Sequence, residues 1–214
     1  MAGLPEVRPG DDLAALLADA VPEGIADGDV LVVAHKVVSK AEGRLRRLEA
    51  IEPGARAREL AARHEKDPRV VQAVLDESIG VIAEGHGVLV CVTRGGLVCA
   101  NAGVDRSNLR DPGEVLLLPQ DPDASARALR AGIAAVRGAH PAVVISDSFG
   151  RAWRLGQTDV AIGAAGIVPL DDWRGRDDAA GRPLRATAIA VADAVAAAAD
   201  LARSKTSGEP AVLV

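Results

Sequence analysis

Aromatic side chains are almost missing from this sequence. They make up 1% of 214 residues, with no tyrosine and only Phe149, Trp153 and Trp173, so Ala, Val, Leu and Ile must fill the interior. Long basic runs are also missing, and the net charge is −5, so a surface that tracks a nucleic-acid backbone is not expected. Small anions remain admissible, because they need a few convergent cations rather than a basic protein. No apolar stretch approaches the roughly 18 residues of a membrane span, and Asp193 and Asp200 interrupt the Ala-rich segment near the C-terminus. The start, MAGLPEVRPGDD, lacks the charged-then-apolar order of a signal peptide. Two cysteines, Cys91 and Cys99, make no disulfide framework, and the expected setting is the reducing cytoplasm.

Several common sites are absent as well. No segment reads as a Walker A loop or a dinucleotide-binding fingerprint. His35, His64, His86 and His140 are scattered, without the spacing of a zinc site, and His64 and His140 are expected at the surface. With no repeat and no Ser/Gly- or Pro-rich linker, residues 1–214 read as a single domain, or as two intimately packed α+β subdomains.

What is present is a series of apolar segments. Residues 11–20 place Leu13, Leu16, Leu17 and Ala20 on one helical face. Residues 29–44 begin as a strand and turn polar at His35-Lys36, and 54–66 form a charged amphipathic helix. Asp67 and Pro68 start a further helix with Val71, Val74 and Leu75 on one face. Residues 87–103 read as a hairpin about Arg94-Gly95-Gly96, with Cys91 and Cys99 facing each other as packing residues. A strand at 114–119, a helix at 120–138, strands at 141–145 and about 159–163, a Gly/Asp-rich loop at 171–183, a helix at 187–203 and a last strand at 210–214 complete the map. Strands joined by both hairpins and crossovers predict an α+β fold with mixed and antiparallel sheets.

Chemistry is expected where apolar strands end in polar residues. Asp147, followed by Ser148, offers hard oxygens of the kind Mg²⁺ or Mn²⁺ accepts, although an aspartate there would equally cap a turn. Asp105, with Asn108 three positions on, repeats the pattern, and it too reads alternatively as a polar loop. Arg106 and Arg151 follow the two aspartates. Paired carboxylates holding metal ions against a nucleotide's phosphates, with arginines spreading the charge, are the machinery of phosphoryl transfer. Lys36, Lys40 and Arg44 beyond the first strand are candidates for phosphate or carboxylate, or else form a solvated turn.

GLPEV, VVSKAEGR, NAGVDRSN, SDSFGRAWRLGQTDVAIG and DDWRGRDDAAGRPL occur in this order. Together they resemble the coenzyme F420-0:γ-glutamyl ligases, in the form found in actinobacteria, along nearly the whole chain. The resemblance implies a GTP-dependent amide ligase with an α+β fold peculiar to the family and an intertwined homodimer. It would join L-glutamate to the F420-0 or F420-1 precursor through an acyl phosphate, releasing GDP and phosphate. It implies two divalent ions, Mg²⁺ or Mn²⁺, and a K⁺. Position by position, Asp105, Asp147 and Ser148 match metal ligands. Leu4, Pro5, Glu6, Val7, His35, Lys40 and Asn108 match nucleotide contacts, His35 standing where some members carry serine. Residues 205–210 match a further nucleotide-binding segment. From charge and position, Arg151 and Arg154 are expected to neutralise the leaving phosphate or the precursor's carboxylates. Family members usually continue beyond the last strand with Arg-Gly, whereas this sequence stops at Val214, so a naturally short ligase and one part of a longer protein are both open. No nitroreductase-like domain accompanies it, and flavin chemistry is not expected. The alternatives are a non-catalytic GTP/GDP- or F420-binding module, or a nucleotide-dependent ligase for another carboxylate.

Overall fold

The computed structural model describes residues 4–85, 87–204 and 206–214. Helix α1 (Leu13–Ala20) precedes β1 (Val30–Ala34), which runs without a linker into α2 (His35–Ala41). Then follow β2 (Leu45–Arg47), α3 (Ala55–His64), α4 (Pro68–Asp76), β3 (Ser78–Gly85), β4 (Val88–Thr93), β5 (Val98–Ala100) and β6 (Glu114–Leu116). Helix α5 (Pro122–Arg137) leads into the hairpin of β7 (Ala142–Arg151) and β8 (Arg154–Ala165). Strands β9 (Leu170–Asp172) and β10 (Ala188–Ala190), helix α6 (Val191–Ala202) and β11 (Ala211–Leu213) end the chain.

The fold is α+β, with mixed and antiparallel sheets as expected. The principal sheet has the order β11-β1-β7-β8, in which β1 and β7 are parallel and both outer pairs antiparallel. Its central strands are continuous apolar runs because both faces are covered. Leu31, Val33, Val143 and Ile145 pack with Leu17 of α1 and Leu129 and Ile133 of α5. Val32 and Val144 point the other way, against Ala192, Ala196 and Ala199 of α6. Alternate residues thus serve opposite layers, and alanines bring α6 close to the sheet. A second layer packs Leu60 of α3 and Val71 and Val74 of α4 on Leu89 and Cys91 of β4.

Local chemistry explains the helix starts. Asp12, Asp67 and Asp121 each accept a hydrogen bond from a backbone N–H of the first turn, of Ala15, Arg69 and Ala124. The Asp-Pro entries at 67–68 and 121–122 fall where the sequence puts them. The edge of β8 is shielded by side chains, since Asp193 accepts from the Ala161 N–H and Asp123 from the Ala164 N–H.

Several expectations need correction. The polar continuation after the first strand is a helix over His35–Ala41, which rules out the alternative of a solvated turn for Lys36 and Lys40. β2 pairs with β6, and β3 adds a third strand beside the 87–103 hairpin, where Cys91 and Cys99 do stand opposite each other. Residues 188–190 pair with β9, so the last helix begins at Val191. The polar stretch after Ile145 does not leave the sheet. β7 and β8 stay paired from Val143↔Ala165 out to Arg151↔Arg154, because the partner strand supplies the ladder after the apolar core has ended. His64 is half-buried and pairs with Glu84 at 2.8 Å, whereas His140 is exposed as expected. His86 lies outside the described residues.

The start of α5 touches β8 at Gly163, where a Cβ would lie 2.4 Å from the Pro122 carbonyl carbon. Gly163→Ala should therefore lower stability by about 1–3 kcal/mol, the usual range for overpacking. Gly28→Ala, whose added methyl meets nothing within 4 Å, should change it by less than about 0.5 kcal/mol. Urea denaturation of both variants checks the difference.

Candidate active site

Parallel pairing aligns Ala34 at the end of β1 with Ser146 in β7. Beyond that register the chain carries His35 and Lys36 on one side and Asp147 and Ser148 on the other. A cavity of about 500 Å³ opens there. Its walls come from five separated regions: Leu4–Val7, residues 34–37 with Lys40, Asn108–Arg110, the Ser146–Ser148 stretch with Asp159, and the end of α6 with described residues before β11, from Asp200 and Arg203 to Thr206 and Pro210. Leu4, Pro5, Glu6, Val7, His35, Lys40, Asn108, Asp147 and Ser148, all singled out from the sequence, line it.

His35 is 2% exposed, and its Nδ1 lies 3.3 Å from Ser39 Oγ. Its Nε2 lies 3.3 Å from Asp147 Oδ1 yet makes no hydrogen bond, and it is a buried polar atom without a hydrogen-bond partner beside the cavity. Such an atom is costly to leave unmatched. Asp147 Oδ1 accepts the Ser148 N–H at 2.7 Å, and Oδ2 accepts nothing among the described residues.

Beneath this pair lies a charge that the sequence reading missed. Asp159 in β8 is 1% exposed. Its Oδ1 accepts from Ser148 Oγ at 2.7 Å, and its Oδ2 from Ser146 Oγ at 2.8 Å and from Arg203. Arg203 also donates to Ser146 Oγ at 2.9 Å and to the Pro210 carbonyl at 3.3 Å. An aspartate inside the apolar run TDVAIG was the available signal, since a buried carboxylate requires a partner.

The second expected carboxylate is held separately. Asp105 pairs with Lys36 Nζ at 2.6 Å and accepts from the Ser107 N–H and hydroxyl. Burial works against its charge, but these donors prevail and hold the carboxyl below the usual range. Asp105 is not among the residues lining the cavity, although Lys36 is. Lys40 binds Glu6 at 2.7 Å, and that hydrogen bond holds the Glu6 carboxyl below its usual range. Arg151 and Arg154 are exposed at the tip of the β7–β8 hairpin, outside the cavity lining of this chain. The turn between them includes Trp153, fully exposed and at φ 59°. Lys205, which opens the expected 205–210 segment, lies outside the described residues, while Thr206 and Gly208–Pro210 line the cavity.

Among the described residues, no three His, Cys, Asp or Glu side chains form a group that could hold a metal ion. Asp147 Oδ2 and Ser148 Oγ nonetheless fit Mg²⁺ or Mn²⁺, which bind through one or two protein oxygens when phosphate oxygens and water complete the shell. The cysteines fit no catalytic role. Burial pushes Cys91 up and Cys99 up to about 12.

Two outcomes follow from these environments. Lys36→Met should cost about 1 kcal/mol at pH 7. Because the folded Asp105 carboxyl lies low, its pairing contributes above the ordinary carboxylate pKa of about 3.9 and is lost as pH falls through the lower folded value. The gap between wild type and variant should close below about pH 4, as read from urea midpoints. A thiol reagent at about pH 8 should label neither cysteine in the folded chain and both in denaturant.

The family model for F420-0:Gamma-glutamyl ligase matches residues 3–214. The chain is 48% identical over 209 residues to the coenzyme F420:L-glutamate ligase of Methanopyrus kandleri, covering 97% of this chain and 82% of that protein. It is 45% identical over 216 residues to that of Methanothermobacter thermautotrophicus, with 99% and 85% covered. For that of Haloarcula marismortui the identity is 48% over 220 residues, with 99% and 84% covered. With the match spanning the whole cavity, this chain belongs to the F420-0:γ-glutamyl ligase family.

Proposed function

We propose that the chain is a GTP-dependent ligase that joins L-glutamate to the F420-0 or F420-1 precursor. The observation that carries this reading is the cavity itself. Five segments distant in sequence bring cations, a carboxylate and a hydroxyl together at the ends of β1 and β7. The relatives reported above are named coenzyme F420:L-glutamate ligases, and the match runs nearly the length of the chain.

Lys36 and Lys40 line the cavity and supply positive charge for the triphosphate and for the precursor's carboxylate. Asp147 and Ser148 hold Mg²⁺ or Mn²⁺, which supplies Lewis-acid polarisation and screens the approach of two anions. Asp105 would hold a second divalent ion on releasing Lys36, and a K⁺ would add further positive charge beside the phosphates. The precursor carboxylate takes the γ-phosphoryl group and GDP leaves; the glutamate amine then attacks the acyl carbon and phosphate leaves. Leu4–Val7, His35 and Asn108 hold the nucleotide, with the buried His35 Nε2 gaining a partner when it binds. The protein works as a homodimer in the cytoplasm. Trp153 and Leu155, both almost fully exposed on the hairpin arm, provide apolar surface for the second copy, and Arg151 and Arg154 travel with them toward its substrate.

The test incubates the protein with GTP, L-glutamate, Mn²⁺ and F420-0 and weighs the products. Gain of glutamyl units dependent on every component is expected. Tight GDP binding without product would favour the non-catalytic module, and turnover with another acid would favour the related ligase. Asp147→Asn should lower kcat at least about 100-fold with the melting temperature nearly unchanged.

A further inference from the structure

Resting on the reading of Ser148 as a cation ligand, we propose that Asp159 is a positioning residue for that ligand and Arg203 its buried counter-charge. The pair is 1% and about 10% exposed and forms part of the cavity floor. A carboxylate only accepts hydrogen bonds. Ser148 must therefore spend its one proton on Asp159 Oδ1, at 2.7 Å, and its lone pairs point elsewhere. Ser148 lines the cavity, so the hydroxyl presents electron pairs rather than a proton to what enters. Ser146 is tied to the other oxygen in the same way, which fixes the rotation of the carboxylate.

Arg203 makes this arrangement tolerable. A carboxylate this deep is stable only with a partner, and the guanidinium reaches Asp159 and Ser146 together. Through its bond to the Pro210 carbonyl, the same side chain ties the turn before β11 to the floor of the site. Neither residue touches the reacting atoms in this account; both act through the direction of one O–H bond.

The test is Mn²⁺ binding by the full chain without nucleotide, read from the electron paramagnetic resonance signal of free Mn²⁺. Asp159→Asn alone would remove a negative charge near the ion, so the informative variant is the charge-neutral D159N/R203M. An asparagine replaces one of the two acceptor oxygens by a donor, so the Ser148 proton is no longer committed to position 159. Binding should weaken about 10–100-fold, as when groups behind metal ligands are removed. Ser148→Ala should weaken it comparably, and adding D159N/R203M to Ser148→Ala should weaken it no further. A merely structural role would not produce that non-additivity. Should the double variant not fold, Asp159→Glu keeps the ion pair, shifts the carboxylate by one methylene, and gives the same readout. If either folded variant binds Mn²⁺ as wild type does while Ser148→Ala does not, the positioning role is overturned and the metal site stands. If wild type binds no Mn²⁺, the cation reading of Ser148 fails and this inference with it.

Discussion

The parallel pairing of β1 with β7 is the constraint on which the rest depends. Because both strands are covered on two faces, their register is fixed by apolar packing: a slip by one residue would turn Val32 and Val144 from the alanines of α6 toward α5. That register sets Ala34 against Ser146 and so brings His35 near Asp147. The geometry of the cavity is inherited from the core. Side chains that never touch a ligand decide where the polar groups stand.

The electrostatics of the site follow the same order from inside to outside. Asp159 and Arg203 are buried and mutually satisfied, Asp147 is partly covered beside His35, and Lys36 and Lys40 line the cavity from a helix that starts where β1 stops. Lys36 also grips Asp105 and Lys40 also grips Glu6, so both cations already have anionic partners. A phosphate entering the cavity would compete for lysines that are already engaged. The unmatched His35 Nε2 is different, since a ligand there gains a hydrogen bond without breaking one.

Much of this was legible in the sequence where local chemistry decides structure. The Asp-Pro helix entries and the facing cysteines were readable because caps and hairpin pairing depend on neighbours in the chain. The short helix of α2 was not, because HKVVSKA carries no cap signal and follows a strand directly. The extent of β7 was hidden because polar residues usually end a buried strand, whereas here β8 keeps the ladder going past the core. Asp105 and Asp147 were legible as acids that follow apolar runs, but that Lys36 binds the one while His35 stands 3.3 Å from the other, inside a continuing strand, is a matter of tertiary placement. Asp159 and Arg203, 44 residues apart, meet only in the folded chain.

The scarcity of aromatic residues has a spectroscopic consequence. Neither tryptophan belongs to the core: Trp153 is fully exposed on the hairpin arm, and Trp173 donates to Asp171 and lies under the Arg176 guanidinium, 5.0 Å from its ring centroid. Indole emission therefore carries little information about whether the sheet and its helices are assembled. It reports instead on the arm and on the loop around Trp173, and any surface that covers Trp153 will announce itself as a blue shift above the steady Trp173 emission.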